Sequence, residues 1–211
     1  AVTSVDDATG QAIADLIDSL AACLTSGNAE TVTALVTDRY LADAYGGGIS
    51  GRNRFALEVA SATAAAIGAH RVGIRLSPYG VFNSTGAFAD VEAQYLALTE
   101  KLSELGLLYL HLLDHSAMGA PPVPAEFKLQ VRQAFKGLFI LAGGFDRAGA
   151  QSALKAGQAD LIAFARPFLA NADLVKRMQA DAPLNAVDMA TFYTPGPKGY
   201  TPGPKGYTDY P

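Results

Sequence analysis

Four short apolar runs, "RVGIRLSP", "LLYLHLLD", "LFILAGG" and "DLIAFAR", recur along the chain, each followed by a stretch with helical spacing. Their first apolar residues, Val72, Leu107, Leu138 and Leu161, lie one strand–helix unit apart. The runs are apolar almost throughout rather than alternating, which is how strands read when both faces are covered. Between them "DVEAQYLALTEKLSELG", "AEFKLQVRQAF" and "RAGAQSALKAG" predict helices. "RNRFALEVASATAAAIG" precedes the first run, and "NADLVKRMQAD" follows the last. The expected fold class is therefore α/β, with four parallel βα units forming a small open sheet or half of an eight-stranded (βα)8 TIM barrel.

In either architecture a ligand belongs at the C-terminal ends of the strands, here "RLSP", "LDHS", "AGGF" and "ARPF". The first supplies Arg75, the third an uncovered backbone at Gly143 and Gly144, and the fourth Arg166 ahead of a helix. Together they make a candidate anion site drawn from three strands. Each signal has a plainer reading. Arg75 can equally pair with a carboxylate such as Asp114, and a Gly-Gly pair alone is a turn. His111, inside an apolar run, reads as a structural histidine bonded to Asp114, His115 or backbone. Asp114 and His115 form the one His–carboxylate cluster, with no nucleophile beside it and too few ligands for a metal.

The chain divides near residue 45. Residues 1–44 predict a helical hairpin: Ile13, Leu16, Ile17, Leu20 and Leu24 form one apolar stripe, and Val32, Leu35, Val36 and Tyr40 a shorter one. Residues 45–191 hold the (βα)4 half-barrel. Residues 192–211 contain "TPGPKGY" twice and read as an extended Pro/Gly-rich loop. The net charge of −4 argues against nucleic-acid binding, and no apolar run reaches the ~18–20 residues that cross a bilayer. "AVTSVDDATG" lacks the basic and apolar regions of a signal peptide. The single Cys23, in "SLAACL", reads as a small buried hydrophobe and fits a reducing, cytoplasmic setting.

The segments "YGGGISGRNRF", "VGIRLSPYGVFN", "LAGGFDR", "DLIAFARPFLANADL", "APLNAVDMATFY" and "GYTDYP" resemble, in order, the C-terminal half of the old yellow enzymes, from Tyr45 to Pro211. These are FMN-dependent NAD(P)H:enone oxidoreductases built on a (βα)8 barrel. The resemblance makes the four strands the fifth to eighth of that barrel. It implies that Arg75 faces the pyrimidine edge of the flavin, and that Gly143, Gly144 and the Ala165–Arg166 turn cradle the FMN phosphate. A short helix beginning near Asn171 lies close to the cradle on this reading. Phe192 and Tyr193 would border the substrate side, Tyr193 with a catalytic place or a merely packing one.

Departures accompany the likeness. Ala165 stands where the family has glycine, and Gly48, Ser50 and Gly51 replace its usual Ser, Glu and Asn, although Arg52 and Arg54 remain. No "H-x-A-x-G-Y" strand precedes residue 45. Residues 1–44 instead resemble the opening helices of a nuclear transport factor 2-like domain, without its sheet. Two functions are therefore expected. One is an ene-reductase lineage passing hydride from NAD(P)H through FMN to an activated alkene, incomplete in this chain and lacking an identifiable proton donor. The other is a non-catalytic fusion, fragment or scaffold that keeps a vestigial phosphate pocket. Open edges at "RVGIRL" and "DLIAFA", beside an inner face expected to carry Val, Ile, Leu and Phe, predict a homodimer that completes the barrel.

Overall fold

A computed structural model describes residues 45–82 and 86–188, together with the backbone of two short strands at 195–196 and 199–202. The hairpin expected over residues 1–44, with Cys23, lies outside the described residues, as do Phe192 and Tyr193.

The chain forms two compact units, Ala1–Val59 and Ala60–Pro211. Helix α1 (Ile49–Ile67) contains the boundary. Within the first unit the Tyr45 hydroxyl donates to Glu58 Oε2 at 2.9 Å, and the Tyr45 ring meets Phe55 edge-on with centroids 5.9 Å apart. Arg52 Nη1 donates to the Gly47 carbonyl at 3.0 Å.

The second unit holds a four-stranded sheet of β1 (Gly73–Leu76), β2 (Tyr109–Leu113), β3 (Leu138–Ala142) and β4 (Leu161–Ala163). The strand order is β1-β2-β3-β4 and every pairing is parallel. The connections run through α2 (Val91–Glu104), α3 (Ala125–Ala134) and α4 (Arg147–Lys155), so each strand returns beside its predecessor through a helix. All four strands are shorter than their apolar runs. Ser77, Gly143 and Phe164 follow the strand ends and build the loops at the C-terminal edge, while Asp114 keeps one bond along the sheet, its amide donating to the Ala142 carbonyl at 2.8 Å.

Alternation within the strands separates two faces. Leu76, Leu110, Leu112, Phe139 and Leu141 are buried, as are Leu98 and Leu102 of α2 and Phe127 and Val131 of α3, and this is the core. Each fully buried Leu or Phe contributes about 1.5–3 kcal/mol relative to exposure. Asp160 anchors the base of this layer: Oδ1 accepts from Arg132 Nη2 of α3 at 3.0 Å, and Oδ2 from the Phe139 amide at 2.7 Å.

The opposite face is open. Register places Arg75, His111, Ile140 and Leu161 in one row across it, with Tyr109 and Leu138 in the row before. Leu138 is 44% and Leu161 50% exposed. Of the Val, Ile, Leu and Phe expected on this face, it carries Leu138, Ile140 and Leu161, with Tyr109, His111 and Arg75 beside them. Phe139 and Val72 lie buried in the core.

A short helix not expected from the sequence, α5 (Arg166–Ala170), precedes the helix expected over residues 171–181, which is α6 (Leu174–Ala180). Pro167 opens the first, where its missing N–H costs nothing. The tail, read as an extended loop, contains an antiparallel pair, β5 (Pro195–Gly196) with β6 (Gly199–Pro202).

Candidate functional site

Asp114 ends β2 and organises the loop mouth. Its Oδ1 accepts from the Ser116 amide at 2.9 Å, and its Oδ2 from the Val123 amide at 3.2 Å and Lys128 Nζ of α3 at 2.6 Å. Burial alone would raise this carboxyl, but the Lys128 ammonium and the Ser116 hydrogen bonds outweigh it and hold it below the ordinary carboxylate value. With these partners Asp114 pairs with neither Arg75 nor a histidine. The alternative reading of Arg75 as its ion-pair partner is therefore incorrect, and the supposed His–carboxylate cluster is no acid–base dyad. Lys128, the partner that sequence reasoning missed, sits on a different element and had no local signal.

Gly143 packs against this staple. Its φ is +130°, and an added Cβ would lie 2.2 Å from the Asp114 carbonyl oxygen. Gly144 follows at φ +67°, with only Ala117 Cβ near a substituent, at 3.2 Å. Two successive left-handed residues swing the chain away from the sheet before α4, whose first turn is capped by Asp146 Oδ1 accepting from Gly149 N at 2.7 Å. Outside helices and strands, the amides of Gly143, Gly144 and Arg166 donate no backbone hydrogen bond among the described residues.

Arg75 and Arg166 stand at the C-terminal edge of β1 and just beyond β4. Neither makes an ion pair among the described residues: the pairs present join Lys101–Glu104, Lys128–Asp114, Arg132–Asp160, Arg147–Asp181 and Arg177–Asp173. Arg75 is exposed and Arg166 half-buried. Ala165, with φ −107°, adopts an ordinary backbone conformation, so a methyl in place of glycine causes no strain there.

Two histidines line the same mouth. His111 is the register partner of Arg75, and its buried Nε2 has no hydrogen-bond partner among the described residues, so the expected bond to Asp114, His115 or backbone is absent through that nitrogen. His115 Nδ1 is likewise buried and unpartnered, and its ring meets Phe82 edge-on at 5.0 Å. Burial, and secondarily the Arg75 charge, hold both imidazoles below their ordinary value, with Asp114 partly offsetting this at His115. The charged form of each ring is thereby disfavoured. The mouth therefore offers two uncommitted guanidiniums and free backbone amides, a set suited to an anion.

Asn171 sits just before α6, whose Leu174 amide donates to the Asn171 carbonyl at 3.0 Å. It is buried between α5 and α6, donating to Pro167 O at 2.9 Å and accepting from the Asn185 amide at 2.8 Å, while Asn185 Nδ2 donates to Ala170 O at 2.9 Å. Its role is to lock the two short helices. A cavity of about 680 Å³, lined by Leu154, Ile162, Phe164, Phe168, Val175 and Met178, opens beside α4 and α6 rather than at the cationic mouth. Among the described residues no group of three or more His, Cys, Asp or Glu is placed to hold a metal, and no helix is long and apolar enough to cross a membrane.

Comparison with known proteins agrees with this geometry. The sequence is 44% identical over 164 residues to 12-oxophytodienoate reductase 2 of Arabidopsis thaliana, covering 77% of this chain and 43% of that protein. It is 45% identical over 159 residues to putative 12-oxophytodienoate reductase 5 of Oryza sativa subsp. japonica, covering 74% and 42%. A solved structure of morphinone reductase superposes with a TM-score of 0.72 at 40% identity, covering 83% of this chain and 44% of that one. The chain thus spans less than half the length of these relatives. The model of the NADH:flavin oxidoreductase / NADH oxidase family matches residues 32–185, beginning upstream of Tyr45 and ending before the tail. The parallel βα units, the strand-end residues and this match agree: the chain belongs to the NADH:flavin oxidoreductase / NADH oxidase family.

Proposed function

We propose that this chain is an FMN-binding oxidoreductase segment of the ene-reductase lineage, holding the cofactor at the C-terminal mouth of its four strands. The observation that carries the reading is the pairing of two unpartnered cations, Arg75 and Arg166, with the left-handed Gly143–Gly144 turn. These residues fit a phosphorylated flavin. The glycine amides and Arg166 suit a phosphate dianion, and Arg75 suits the electron-rich edge of a reduced isoalloxazine. Bound there, FMN supplies hydride transfer from NAD(P)H to the β-carbon of an activated alkene. The protein's own contributions are charge and shape. Arg75 stabilises negative charge, and Asp114 with Lys128 holds the loop against which Gly143 packs.

Phe192 and Tyr193 are the residues proposed for the substrate side, and an enone-type small molecule is the proposed substrate. The proposed setting is cytoplasmic, with neither nucleic acid nor membrane as partner and a second copy of the chain completing the barrel. The alternative reading is a binding or scaffold protein without turnover. The absorption spectrum of the purified chain separates the two. Flavin bands, as isolated or after adding FMN and desalting, support the first reading; a colourless protein that retains no FMN contradicts it.

A further inference from the structure

Among the described residues, two that are not glycine have left-handed backbone: Tyr79 at φ +52° and Asp181 at φ +55°. Asp181 caps the end of α6, and aspartate tolerates that region. A bulky aromatic residue does not, and Tyr79 ends no helix. It stands third in the turn Ser77–Gly80, which is closed by the Gly80 amide donating to the Ser77 carbonyl at 3.2 Å. Pro78, second in the turn, is fully buried. Proline followed by a left-handed residue is the pattern in which glycine is favoured at the third place. In "SPYG" the glycine comes one residue too late.

The tyrosine is held there by its own hydroxyl, which donates to Glu92 Oε1 in the first turn of α2 at 2.6 Å. Burial, with the bond to Glu92 and its charge added, pushes the phenol up to about 12, so it keeps the proton it donates. Backbone strain persists only where surrounding contacts over-determine it, and this bond supplies that constraint.

What the turn positions lies at the mouth. Gly80 faces His115, and a Cβ built on it would lie 3.3 Å from the imidazole Nδ1. Phe82, two residues on, meets the same ring edge-on at 5.0 Å. The turn thus covers His115 from the β1 side and contributes to the burial that holds this imidazole below its ordinary value. His115 in turn anchors the loop behind it: its carbonyl accepts from the Met118 amide at 2.8 Å and the Ala120 amide at 3.3 Å. Inside that loop is Ala117, whose methyl would lie 3.2 Å from a Cβ built on Gly144. A line of contacts therefore runs from Glu92 through Tyr79, Gly80, His115 and Ala117 to the glycine turn.

We infer that Tyr79 and Glu92 are positioning residues of this mouth: their bond holds a left-handed turn over the His115 ring and so fixes the loop that backs the glycine turn. This rests on the reading of the mouth as a flavin phosphate site and adds what sets its shape from the β1 side.

Four variants of the full chain test it, read by NMR titration of the His115 imidazole and by the FMN dissociation constant from flavin fluorescence. Tyr79→Phe keeps the ring without the bond and leaves an aromatic residue unsupported in left-handed backbone. Glu92→Ala does the same from the other side. In both, the His115 midpoint should rise toward the ordinary imidazole value as Gly80 and Phe82 leave the ring. FMN should bind about fivefold more weakly in each. Glu92→Gln keeps an acceptor oxygen and should stay within about twofold of the unaltered chain. Tyr79→Gly removes bond and strain together, so the turn keeps its shape untethered, and it too should stay within about twofold. That order separates positioning from packing: if Tyr79 only packed, Tyr79→Gly, which removes the most, would lose the most. An unchanged titration and affinity in Tyr79→Phe, or a greater loss in Tyr79→Gly than in Tyr79→Phe, would overturn the inference. Should the unaltered chain take up no FMN, the flavin reading falls, and the order of the variants in the His115 titration alone decides the positioning role.

Discussion

Replacing Gly143 and Gly144 by alanine, one at a time, separates the roles of two adjacent residues that sequence alone treats as equivalent. At Gly144 the new methyl must adopt φ near +67°, which costs an L-residue about 1–2 kcal/mol. Its nearest neighbour is the Ala117 methyl at 3.2 Å, on a short 3-10 turn (Ser116–Met118) that can give by a few tenths of an ångström. At Gly143 the same conformational penalty applies, but the methyl also lies 2.2 Å from the Asp114 carbonyl oxygen and 2.8 Å from its Cβ. Backbone must move, and Asp114 cannot shift freely because its carboxylate holds three hydrogen bonds. Weakening these at roughly 1 kcal/mol each brings Gly143→Ala to about 3–5 kcal/mol. Urea unfolding followed by circular dichroism reads the difference. With a slope of about 2 kcal/mol/M, the two midpoints should lie about 1 M apart, Gly143→Ala being the lower. Coincident midpoints would refute the packing of Gly143 onto the Asp114 staple.

The same staple predicts a pH dependence. The Asp114 carboxyl is held below its unfolded value, so the stability it contributes is complete above the unfolded carboxylate pKa of about 3.9 and is lost as pH falls through the folded value. Asp114→Asn should remove that part of the acid-side slope, and an unchanged slope would contradict the Lys128 pairing. Arg75→Ala should weaken FMN binding more than Arg52→Ala, whose Nη1 is held by the Gly47 carbonyl; equal dissociation constants would refute the placement of Arg75. Ala165→Gly should leave phosphate or FMN affinity unchanged or tighter, since φ at this position suits either residue and only a methyl is removed. A clear loss of affinity would show that this turn is not part of the cradle.

The order of elements was legible because each carries its own local signal. Continuous apolar runs gave four strands, and 3-4 spacing gave the helices between them. Strand limits were overestimated because residues such as Phe164 extend an apolar run without joining a ladder. Which face of each strand is covered was not legible, because strands with no polar alternation, such as "LLYLHLLD", carry no marker of it. The short helix α5 was missed for a different reason: Asn185, which bonds the Ala170 carbonyl and the Asn171 side chain at its end, lies far along the chain. The glycine turn and the two arginines could be picked out because strand ends have a fixed location in parallel sheets. The commitment of Asp114 to Lys128 could not, since it depends on how α3 packs beside β2.

The central claim, that this mouth binds a phosphorylated flavin through its phosphate, is tested most directly by titrating the purified chain with FMN and with riboflavin, following flavin fluorescence. The two ligands share the isoalloxazine and differ only in the phosphate. The account predicts that FMN binds at least about tenfold more tightly than riboflavin, because charge-assisted bonds to Arg166 and the glycine amides are lost with the phosphate, and that Arg166→Gln narrows the gap. Equal affinity for the two ligands, or FMN affinity unchanged in Arg166→Gln, would contradict it.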